Sequence, residues 1–236
     1  LFQAENFFSL DYIFSPEQLV AKQLIPLIEY PGVMQLLNLA ENTLHLAEVK
    51  VSPASPLINQ NFSQLANLAN CQLVAVYRLN HLVALENKPS HSFKADDEVY
   101  FLTQRQQLPQ LISQFKPPVE ASHKLVIAGG GNIGAQLADS LEQHHRIKII
   151  EDNPQRCKEL AEKLERSLII NGSATDKSLL QEESLNQADI FCALTNSDEV
   201  NLLSSLLAKH LGAAKVITLV SNPAYLQLIA SSAIDV

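Results

Sequence analysis

The sequence has no excess of basic charge. Its 236 residues include 17 Lys and Arg against 25 Asp and Glu, a formal net charge of −8. The negative charge is spread evenly, because residues 1–122 hold 7 basic and 11 acidic residues and residues 123–236 hold 10 basic and 14 acidic residues, a net charge of −4 in each half. Binding to a phosphate backbone or an anionic lipid surface needs concentrated Lys and Arg. The composition therefore argues against nucleic acid and anionic membranes as partners.

Long apolar runs and clustered cysteines are also missing. Apolar residues make up 47% of the chain, but no run approaches the roughly 18 residues of a membrane-spanning helix, so we expect no direct membrane span. Cys71, Cys157 and Cys192 are odd in number and far apart, and the seven histidines add no metal-ligand spacing. This pattern predicts buried, reduced thiols and no metal site. We expect the adjacent His144 and His145 to be solvated loop residues.

The two ends of the chain indicate a piece of a larger protein. LFQAENFFSLDYIF lacks the basic region of a secretory signal and has no initiator Met, so we interpret the chain as a fragment or a processed product. SSAIDV (231–236) weakly resembles FFSLDY (7–12). This repeat suggests that the chain begins inside one α/β domain and ends inside a second copy.

Glycine and proline divide the sequence into two halves. Four of the seven glycines lie between 129 and 134, and nine of the eleven prolines lie before 119. Pro117-Pro118 is the predicted boundary, because neither residue can donate a backbone hydrogen bond. After it, five apolar runs, from KLVIA (124–128) to KVITLV (215–220), alternate with helical periodicity. This alternation predicts an α/β fold with a Rossmann-like, doubly wound parallel sheet.

The first half predicts a small α+β domain. Ser15-Pro16-Glu17-Gln18 is typical of a helix start, and two hairpins are expected around Glu41-Asn42-Thr43 and Leu79-Asn80. A short helix at 60–69, a strand at 97–103 and a helix at 108–115 complete this half. The first helix carries four apolar residues: Leu19, Leu24, Leu27 and Ile28.

A glycine motif opens the second half. Gly129-Gly130-Gly131-Asn132-Ile133-Gly134 is a G-x-G-x-x-G between a predicted strand and a predicted helix. Gly129 would permit the tight turn, Gly131 would let a pyrophosphate approach the backbone, and Gly134 would let the helix pack closely. The helix N-terminus offers free N–H groups to phosphate. The alternative is a glycine turn that binds nothing.

An acidic residue lies at the spacing that such motifs use for ribose. Glu151 ends the second predicted strand, 22 residues after Gly129, and is followed by Asp152. Because two carboxylates would repel a 2′-phosphate, the pair favours NAD(H), or an adenosine nucleotide with a free ribose, over NADP(H). Arg156 is interpreted either as a phosphate or adenine contact or as a solvated helix residue.

Two further loops follow strands of the predicted sheet. The loop Asn171–Asp176 places Ser173 near adenine, or is merely a turn with an Asp or Thr helix cap. Thr195 and Asn196 would face the nicotinamide or phosphate side, whereas Ser197 or Asp198 would cap the next helix. No Tyr-x-x-x-Lys, Ser/His/Asp set or metal set accompanies these loops. We expect no catalytic residues and no enzyme activity.

The order of motifs resembles a known family. KLVIAGGGNIGAQLA, IKIIEDNPQRCKELAE, NGSATDKSLL and ALTNSDEVNLLSSLLAKHLGAAKVI are similar to the nucleotide-binding lobe of RCK (regulator of K⁺ conductance) domains. They are most similar to the TrkA-type regulatory subunits of bacterial potassium uptake systems. The resemblance implies the end of a preceding Rossmann-like lobe with a crossover helix at 1–32, an RCK C-lobe-like domain at 33–117 and a second RCK N-lobe at 118–236.

The resemblance also implies a function. The chain would belong to a cytoplasmic, nucleotide-sensing subunit on the inner face of the cell membrane, bound to a Trk-type potassium transporter. It would assemble as a homo-oligomer through its lobes, with a partner copy covering the four apolar residues of the first helix. NAD or NADH would be the ligand, with ATP or ADP competing. The implied contacts are Gly129, Gly130, Gly131, Asn132, Ile133, Gly134, Glu151, Ser173, Thr195 and Asn196; Ser173 departs from the Asp found in many relatives. The alternatives are an NAD-dependent oxidoreductase or epimerase whose catalytic part is missing, and a structural oligomerisation module.

Overall fold

The described residues form two five-stranded sheets, one in each half of the chain. This computed structural model describes residues 15–30, 32–40, 43–68, 71–83, 92–115 and 123–225. The predicted Pro117-Pro118 boundary and both segments of the weak repeat lie outside the described residues. The α/β class expected from the sequence is confirmed.

The first sheet is antiparallel throughout. Its strand order is β1-β2-β5-β3-β4. Both predicted hairpins are confirmed, since β1 pairs with β2 and β3 pairs with β4. The strands are β1 (Val33–Leu39), β2 (Leu44–Lys50), β3 (Gln72–Arg78), β4 (His81–Val83) and β5 (Glu98–Gln104).

Three helices accompany this sheet: α1 (Pro16–Glu29), α2 (Ser63–Leu68) and α3 (Leu108–Phe115). Ser15 caps α1 as predicted, because its hydroxyl accepts a hydrogen bond from the Gln18 N–H at 3.4 Å. Helix α3 buries four apolar side chains against one face of the sheet, which forms the core of this half. Within that core, the rings of Phe101 and Phe115 stack with centroids 5.4 Å apart.

The second sheet is parallel throughout, in the order β10-β9-β6-β7-β8. The chain therefore leaves the first strand of the sheet, β6, toward one edge and later returns to its other side, which is the doubly wound order. The strands are β6 (Lys124–Ala128), β7 (Arg146–Glu151), β8 (Leu168–Asn171), β9 (Ile190–Ala193) and β10 (Lys215–Thr218). All five predicted strands are confirmed.

Helices cover both faces of the parallel sheet. They are α4 (Asn132–Leu141), α5 (Pro154–Lys163), α6 (Lys177–Glu182) and α7 (Asp198–Leu211). One apolar core lies between the sheet and α4 with α5, and another lies on the opposite face with α6 and α7. Because β6 and β9 are adjacent but lead to helices on opposite faces, a crevice opens between their carboxyl ends.

Helix α1 packs on the second half of the chain, which corrects one expectation. Leu24 and Ile28 are buried in the core that contains α4, and the Leu27 carbonyl accepts a hydrogen bond of 2.8 Å from Lys215 Nζ. The surface predicted to be covered by a partner copy is thus largely covered within the chain, because α1 packs against α4. Leu19 remains 51% exposed.

Two expectations about single side chains also need correction. His145 is buried rather than solvated, since its Nδ1 accepts a hydrogen bond of 3.1 Å from the His123 N–H and its ring stacks on that of His123. Cys71 and Cys192 are buried free thiols, and burial raises their pKa values to about 11 and about 12. Cys157 is only half-buried, so the prediction of a buried thiol is wrong for this residue.

No helix in the described part of the chain has the length and apolar character needed to span a bilayer.

Candidate functional site

The glycine turn lies at the carboxyl end of β6, beside the crevice. Gly129 has φ +101°, a conformation that favours glycine, and its N–H donates to the Ile150 carbonyl at 2.9 Å. A Cβ at Gly129 would lie 2.8 Å from the backbone nitrogen of Thr195. The turn is therefore closed tightly between β7 and the loop that follows β9.

The other glycines of the turn differ sharply in the space around them. A Cβ on Gly134 would overlap the carbonyl oxygen of Gly129, so this glycine lets α4 pack onto the turn. A Cβ on Gly130 would overlap the Leu160 side chain. Gly131, the residue that precedes α4, has nothing within 4 Å of a built Cβ and an ordinary φ of −62°. The open side of the turn is therefore at Gly131.

The start of α4 presents unused donors beside that open side. The first hydrogen bond of the helix runs from the Ala135 N–H to the Gly131 carbonyl at 2.9 Å. The N–H groups of Asn132, Ile133 and Gly134 precede it and have no acceptor among the described residues. No carboxylate side chain caps this end, since the N-cap residue is Gly131. Free N–H groups and the positive end of the helix dipole make the position suited to an anion.

Glu151 is held against the turn. Its Oε2 accepts a hydrogen bond from the Gly130 N–H at 2.7 Å, and its Oε1 accepts one from the Asn153 N–H at 2.9 Å. The side chain is half-buried, so part of the carboxylate faces solvent at the carboxyl edge of the sheet. Because a carboxylate has about four acceptor positions, both oxygens can accept further hydrogen bonds.

Arg156 supports the turn from α5, a role that the sequence interpretation did not include. Its Nε donates to the Gly130 carbonyl at 2.8 Å, and its Nη1 pairs with Glu159 at 2.8 Å. The guanidinium thus holds the backbone of the turn, and Glu151 holds the N–H of the same residue. Asn153 caps α5 as predicted, since its Oδ1 accepts hydrogen bonds from the N–H groups of Gln155 and Arg156.

Ser173 and Asn171 lie at the end of the next strand. Ser173 is exposed, and its hydroxyl lies 2.9 Å from that of Thr175. The Asn171 Nδ2 donates to the Glu151 carbonyl at 3.0 Å, which ties the ends of β7 and β8 together. Asp176 caps α6 through the N–H groups of Ser178 and Leu179, the alternative that the sequence left open.

Thr195 and Asn196 lie on the far side of the crevice, after β9. The Thr195 hydroxyl donates to Asn201 Oδ1 at 2.7 Å, and Asn196 is exposed. Asn201, wholly buried, also donates to the carbonyls of Thr195 and Leu219 at 3.0 Å each. The sequence analysis did not identify Asn201 as the residue that fixes this loop. A polar residue on the buried side of a predicted helix is the signal that could have revealed it. Ser197 caps α7, as expected.

Tyr225 lies near this loop but is unsuited to donate a proton. Its hydroxyl donates to Glu199 at 2.6 Å. This hydrogen bond lowers the pKa of the Glu199 carboxyl and raises the pKa of the Tyr225 phenol. Within the described residues, no group of three or more His, Cys, Asp or Glu is arranged to hold a metal ion.

The glycine turn and its surroundings match a family model described as the TrkA-N domain, over residues 125–236. Residues 125–236 are thus similar to TrkA-N domains. The resemblance to TrkA-type proteins stated from the sequence is confirmed.

Curated relatives extend the similarity along the whole chain. The Trk system potassium uptake protein TrkA of Halomonas elongata is 40% identical over 230 residues, covering 96% of this chain and 50% of the relative. TrkA of Vibrio alginolyticus is 36% identical with the same coverage of both chains. The chain thus spans about half the length of these relatives.

Solved structures share the fold. The GsuK RCK domain has a TM-score of 0.63 at 15% identity, covering 93% of this chain and 47% of that chain. The GsuK channel bound to NAD also has a TM-score of 0.63 at 15% identity, covering 93% of this chain and 39% of that chain. The TrkA-N half and the half that precedes it therefore both have counterparts in RCK structures.

Proposed function

We propose that this chain is the nucleotide-sensing part of a cytoplasmic regulatory subunit that controls a membrane potassium transporter, and that it binds NAD(H) at the glycine turn. One observation carries the proposal: Gly131 opens onto free space at the start of α4, while the Glu151 carboxylate is fixed against the adjacent Gly130 N–H at 2.7 Å. These are the two features that dinucleotide recognition requires in one turn, a phosphate cradle and a ribose acceptor.

The phosphate part of the proposal rests on the first turn of α4. The pyrophosphate would bind against Gly129, Gly130 and Gly131, with the N–H groups of Asn132, Ile133 and Gly134 as donors. These groups lack other acceptors among the described residues, so binding sacrifices no existing hydrogen bond. The open space at Gly131 accepts the pyrophosphate without displacement of protein atoms.

The ribose part rests on Glu151. Both carboxylate oxygens would accept the hydroxyls of the adenosine ribose while keeping their bonds to Gly130 and Asn153. A 2′-phosphate would meet this carboxylate and the exposed Asp152 beside it, so the site favours NAD(H) over NADP(H). The exposed Ser173 is proposed for the adenine side, and Thr195 with Asn196 for the nicotinamide side.

A bound nucleotide must favour one arrangement of the protein over another to act as a signal. Helix α4 offers a physical connection for this coupling, because its first residues form the proposed cradle and its side packs against α1. Leu24 and Ile28 of α1 are buried in the same core as Leu137 and Leu141 of α4. A shift of α4 on nucleotide binding would thus alter its packing against the crossover helix α1 and, through α1, the position of the preceding domain.

The proposal extends to domain identity and assembly. We assign residues 1–32 to the end of a preceding lobe and the crossover helix, 33–117 to an RCK C-lobe and 118–236 to a second RCK N-lobe, with assembly as a homo-oligomer. The outer face of the antiparallel sheet is the surface proposed for assembly, because Leu37, Leu39 and Leu44 are each about 40% exposed there. Light scattering of Leu37→Asp tests this assignment: the variant should have a lower mass than the parent chain.

The chain is proposed to sense the dinucleotide without consuming it. Tyr225, with its raised pKa, is not an acid for hydride chemistry. The TrkA relatives are named as potassium uptake proteins, and the RCK structure bound to NAD belongs to a channel. Both names are consistent with a regulatory function.

Calorimetric titration with NAD⁺, NADH, ATP, ADP and NADPH tests binding. We expect saturable binding of NAD(H), weaker binding of NADPH, and competition by ATP or ADP. NADH absorbance should stay constant against panels of ketones, hydroxy acids and nucleotide sugars; steady oxidation would instead support the oxidoreductase alternative. Failure of every nucleotide to bind would leave the turn as a purely structural feature.

A growth experiment tests the link to potassium. In a strain whose potassium uptake depends on the gene that encodes this chain, Gly131→Val with Glu151→Gln should prevent growth at limiting potassium. Added potassium should restore growth. A growth defect that added potassium does not relieve would contradict the proposed potassium transporter as partner, but it would not contradict the proposed nucleotide binding.

A further inference from the structure

A groove of about 680 Å³ lies at the amino edge of the parallel sheet. Its lining comes from the starts of β6 and β7, the turn before β7, the residues around the start of β8, and the segment between α6 and β9. Its volume is in the range of small-molecule sites, about 300–1,000 Å³. Because the strands are parallel, this edge is opposite to the glycine turn, about 16 Å away along β6 at 3.3 Å per residue. It is a separate place on the same domain.

The charge of this groove is opposite to that of the chain. Its lining includes four Lys and Arg, namely Lys124, Arg146, Lys148 and Arg166, against two carboxylates, Glu142 and Glu183. The whole chain carries a net charge of −8. A local excess of cations attracts an anion to the groove, whereas the rest of this acidic surface repels anions.

Both carboxylates of the groove are already engaged. Glu142 accepts hydrogen bonds from the N–H groups of Glu165, Arg166 and Ser167, and from the Ser167 hydroxyl. Burial by itself raises the pKa of the Glu142 carboxyl, but these four bonds more than offset it and hold the pKa below its ordinary value. Glu183 pairs with Lys148 Nζ at 2.8 Å. Neither carboxylate therefore neutralises the remaining cations.

Among the described residues, the remaining three cations have weak partners or none. There, Lys124 Nζ contacts only the side-chain oxygen of Gln187, at 3.4 Å, and Arg166 Nη1 donates to the Gln143 carbonyl at 3.3 Å. Within the described ranges, the Arg146 guanidinium has no hydrogen bond or ion pair, and the only hydrogen bond of this residue outside its strand is donated by its backbone N–H to the His123 carbonyl. Guanidinium groups bind phosphate with two parallel hydrogen bonds, so Arg146 and Arg166 are suited to a phosphate group.

One exposed apolar side chain adjoins these cations. Leu168, on the edge strand β8, leaves 52% of its side chain exposed at the groove. The adjacent His145 is buried, and its burial with the nearby His123 and His144 lowers its pKa, so its ring is neutral at pH 7. The groove thus combines fixed positive charge from Lys and Arg with apolar surface.

We propose that this groove is a second ligand site, which binds an organic phosphate composed of a dianionic phosphate and an apolar ring. The phosphate would bind Arg146 and Arg166, with Lys124 adding charge, and the ring would pack on Leu168. The proposal does not depend on nucleotide binding at the glycine turn, because the two places share no residue.

Phenyl phosphate is the probe, since it has the ring and the dianion but no pyrophosphate or ribose. The chain is first saturated with NADH, so that the glycine turn is unavailable, and binding is followed by calorimetry and by amide chemical shifts in NMR. We expect saturable binding that shifts the amides of residues 142–146, 166–168 and 183–188. Inorganic phosphate should bind at least tenfold more weakly than phenyl phosphate, and phenol should not bind.

Matched variants test which residues bind the probe. Arg146→Gln with Arg166→Gln should weaken phenyl phosphate at least tenfold, whereas Lys158→Gln with Lys163→Gln, which removes the same charge from α5 outside the groove, should leave the affinity unchanged. Leu168→Asp should abolish the advantage of phenyl phosphate over inorganic phosphate. Circular dichroism checks that each variant is folded. Equal affinity in the two double variants, shifts confined to the glycine turn, or no saturable binding would overturn the proposal.

Discussion

The Glu151 carboxylate accepts a hydrogen bond of 2.7 Å from the Gly130 N–H, so the acidic end of β7 and the middle of the glycine turn form one unit. The Arg156 Nε completes that unit by donating to the Gly130 carbonyl at 2.8 Å. Both backbone polar groups of Gly130, which belong to two successive peptide groups, are thereby held by charged side chains. Such charge-assisted hydrogen bonds are stronger than neutral ones, which keeps the turn preorganised before any ligand arrives.

Substitution of Gly131 should separate ligand binding from folding. Gly131→Val places a side chain in the open space at the start of α4, so NADH affinity should fall at least tenfold, about 1.4 kcal/mol. The ordinary φ of −62° and the empty surroundings predict that the variant folds, and because valine is a poorer helix N-cap than glycine, its free energy of unfolding should fall by no more than about 1 kcal/mol. Calorimetry and urea denaturation measure the two quantities. Unchanged NADH affinity would show that the pyrophosphate does not bind there.

Gly134→Ala should have the opposite effect and serves as the counterpart. Its Cβ would overlap the Gly129 carbonyl oxygen, which is backbone and cannot move aside easily. We expect the free energy of unfolding to fall by about 1–3 kcal/mol, the usual cost of overpacking. If Gly134→Ala is as stable as the parent chain, α4 is less tightly packed on the turn than described.

Glu151→Gln should change the preference between cofactors. Loss of the negative charge should weaken NADH binding while improving NADPH relative to NADH, because the repulsion of a 2′-phosphate is reduced. Asp152→Asn is the matched control, since its exposed carboxylate has the same charge but no hydrogen bond to the turn. The ratio of the two dissociation constants is the measurement. A larger effect from Asp152→Asn than from Glu151→Gln would show that Asp152, and not Glu151, contacts the ribose.

An ion pair with a buried carboxylate should contribute strongly to the stability of the first half. Arg78 binds Asp97 through two hydrogen bonds of 2.7 Å, and Asp97 is wholly buried. Asp97→Ala should lower the free energy of unfolding by about 3–5 kcal/mol, because it leaves a charge without its partner. Lys50→Ala, which breaks the exposed pair with Asp96, should cost less than about 1 kcal/mol. Urea denaturation of both variants checks the contrast.

His45 should make the first half sensitive to acid. The ring is buried, and neither nitrogen has a hydrogen-bond partner in the part of the chain that the structure describes. Burial together with the charge of Arg105 lowers the pKa of His45. The unfolded chain therefore takes up the proton first as the pH falls below about 6.5, and the free energy of unfolding should decrease there. His45→Leu should reduce this pH dependence and raise stability at pH 7 by about 1 kcal/mol. An unchanged stability profile between pH 7 and pH 5 would contradict the assignment.

The sequence predicted what depends on local patterns. The strands of the parallel sheet, both hairpins, the Ser15 and Asn153 caps and the glycine turn follow from short-range periodicity and residue chemistry. The missed features depend on contacts between distant residues. Arg156 reaches Gly130 across 26 positions, and His145 is buried because His123 stacks on it. Neither distance nor burial of this kind can be read from spacing along the chain.

Helix α1 is shared by two hydrophobic cores. Leu24 and Ile28 are buried with the parallel sheet, Tyr30 packs against the core of the antiparallel sheet, and Leu27 packs against both. Loss of either core would therefore expose apolar surface of the other. The two halves should melt in one cooperative transition rather than two, and a chain that begins at residue 123 should be less stable than the same residues within the longer chain.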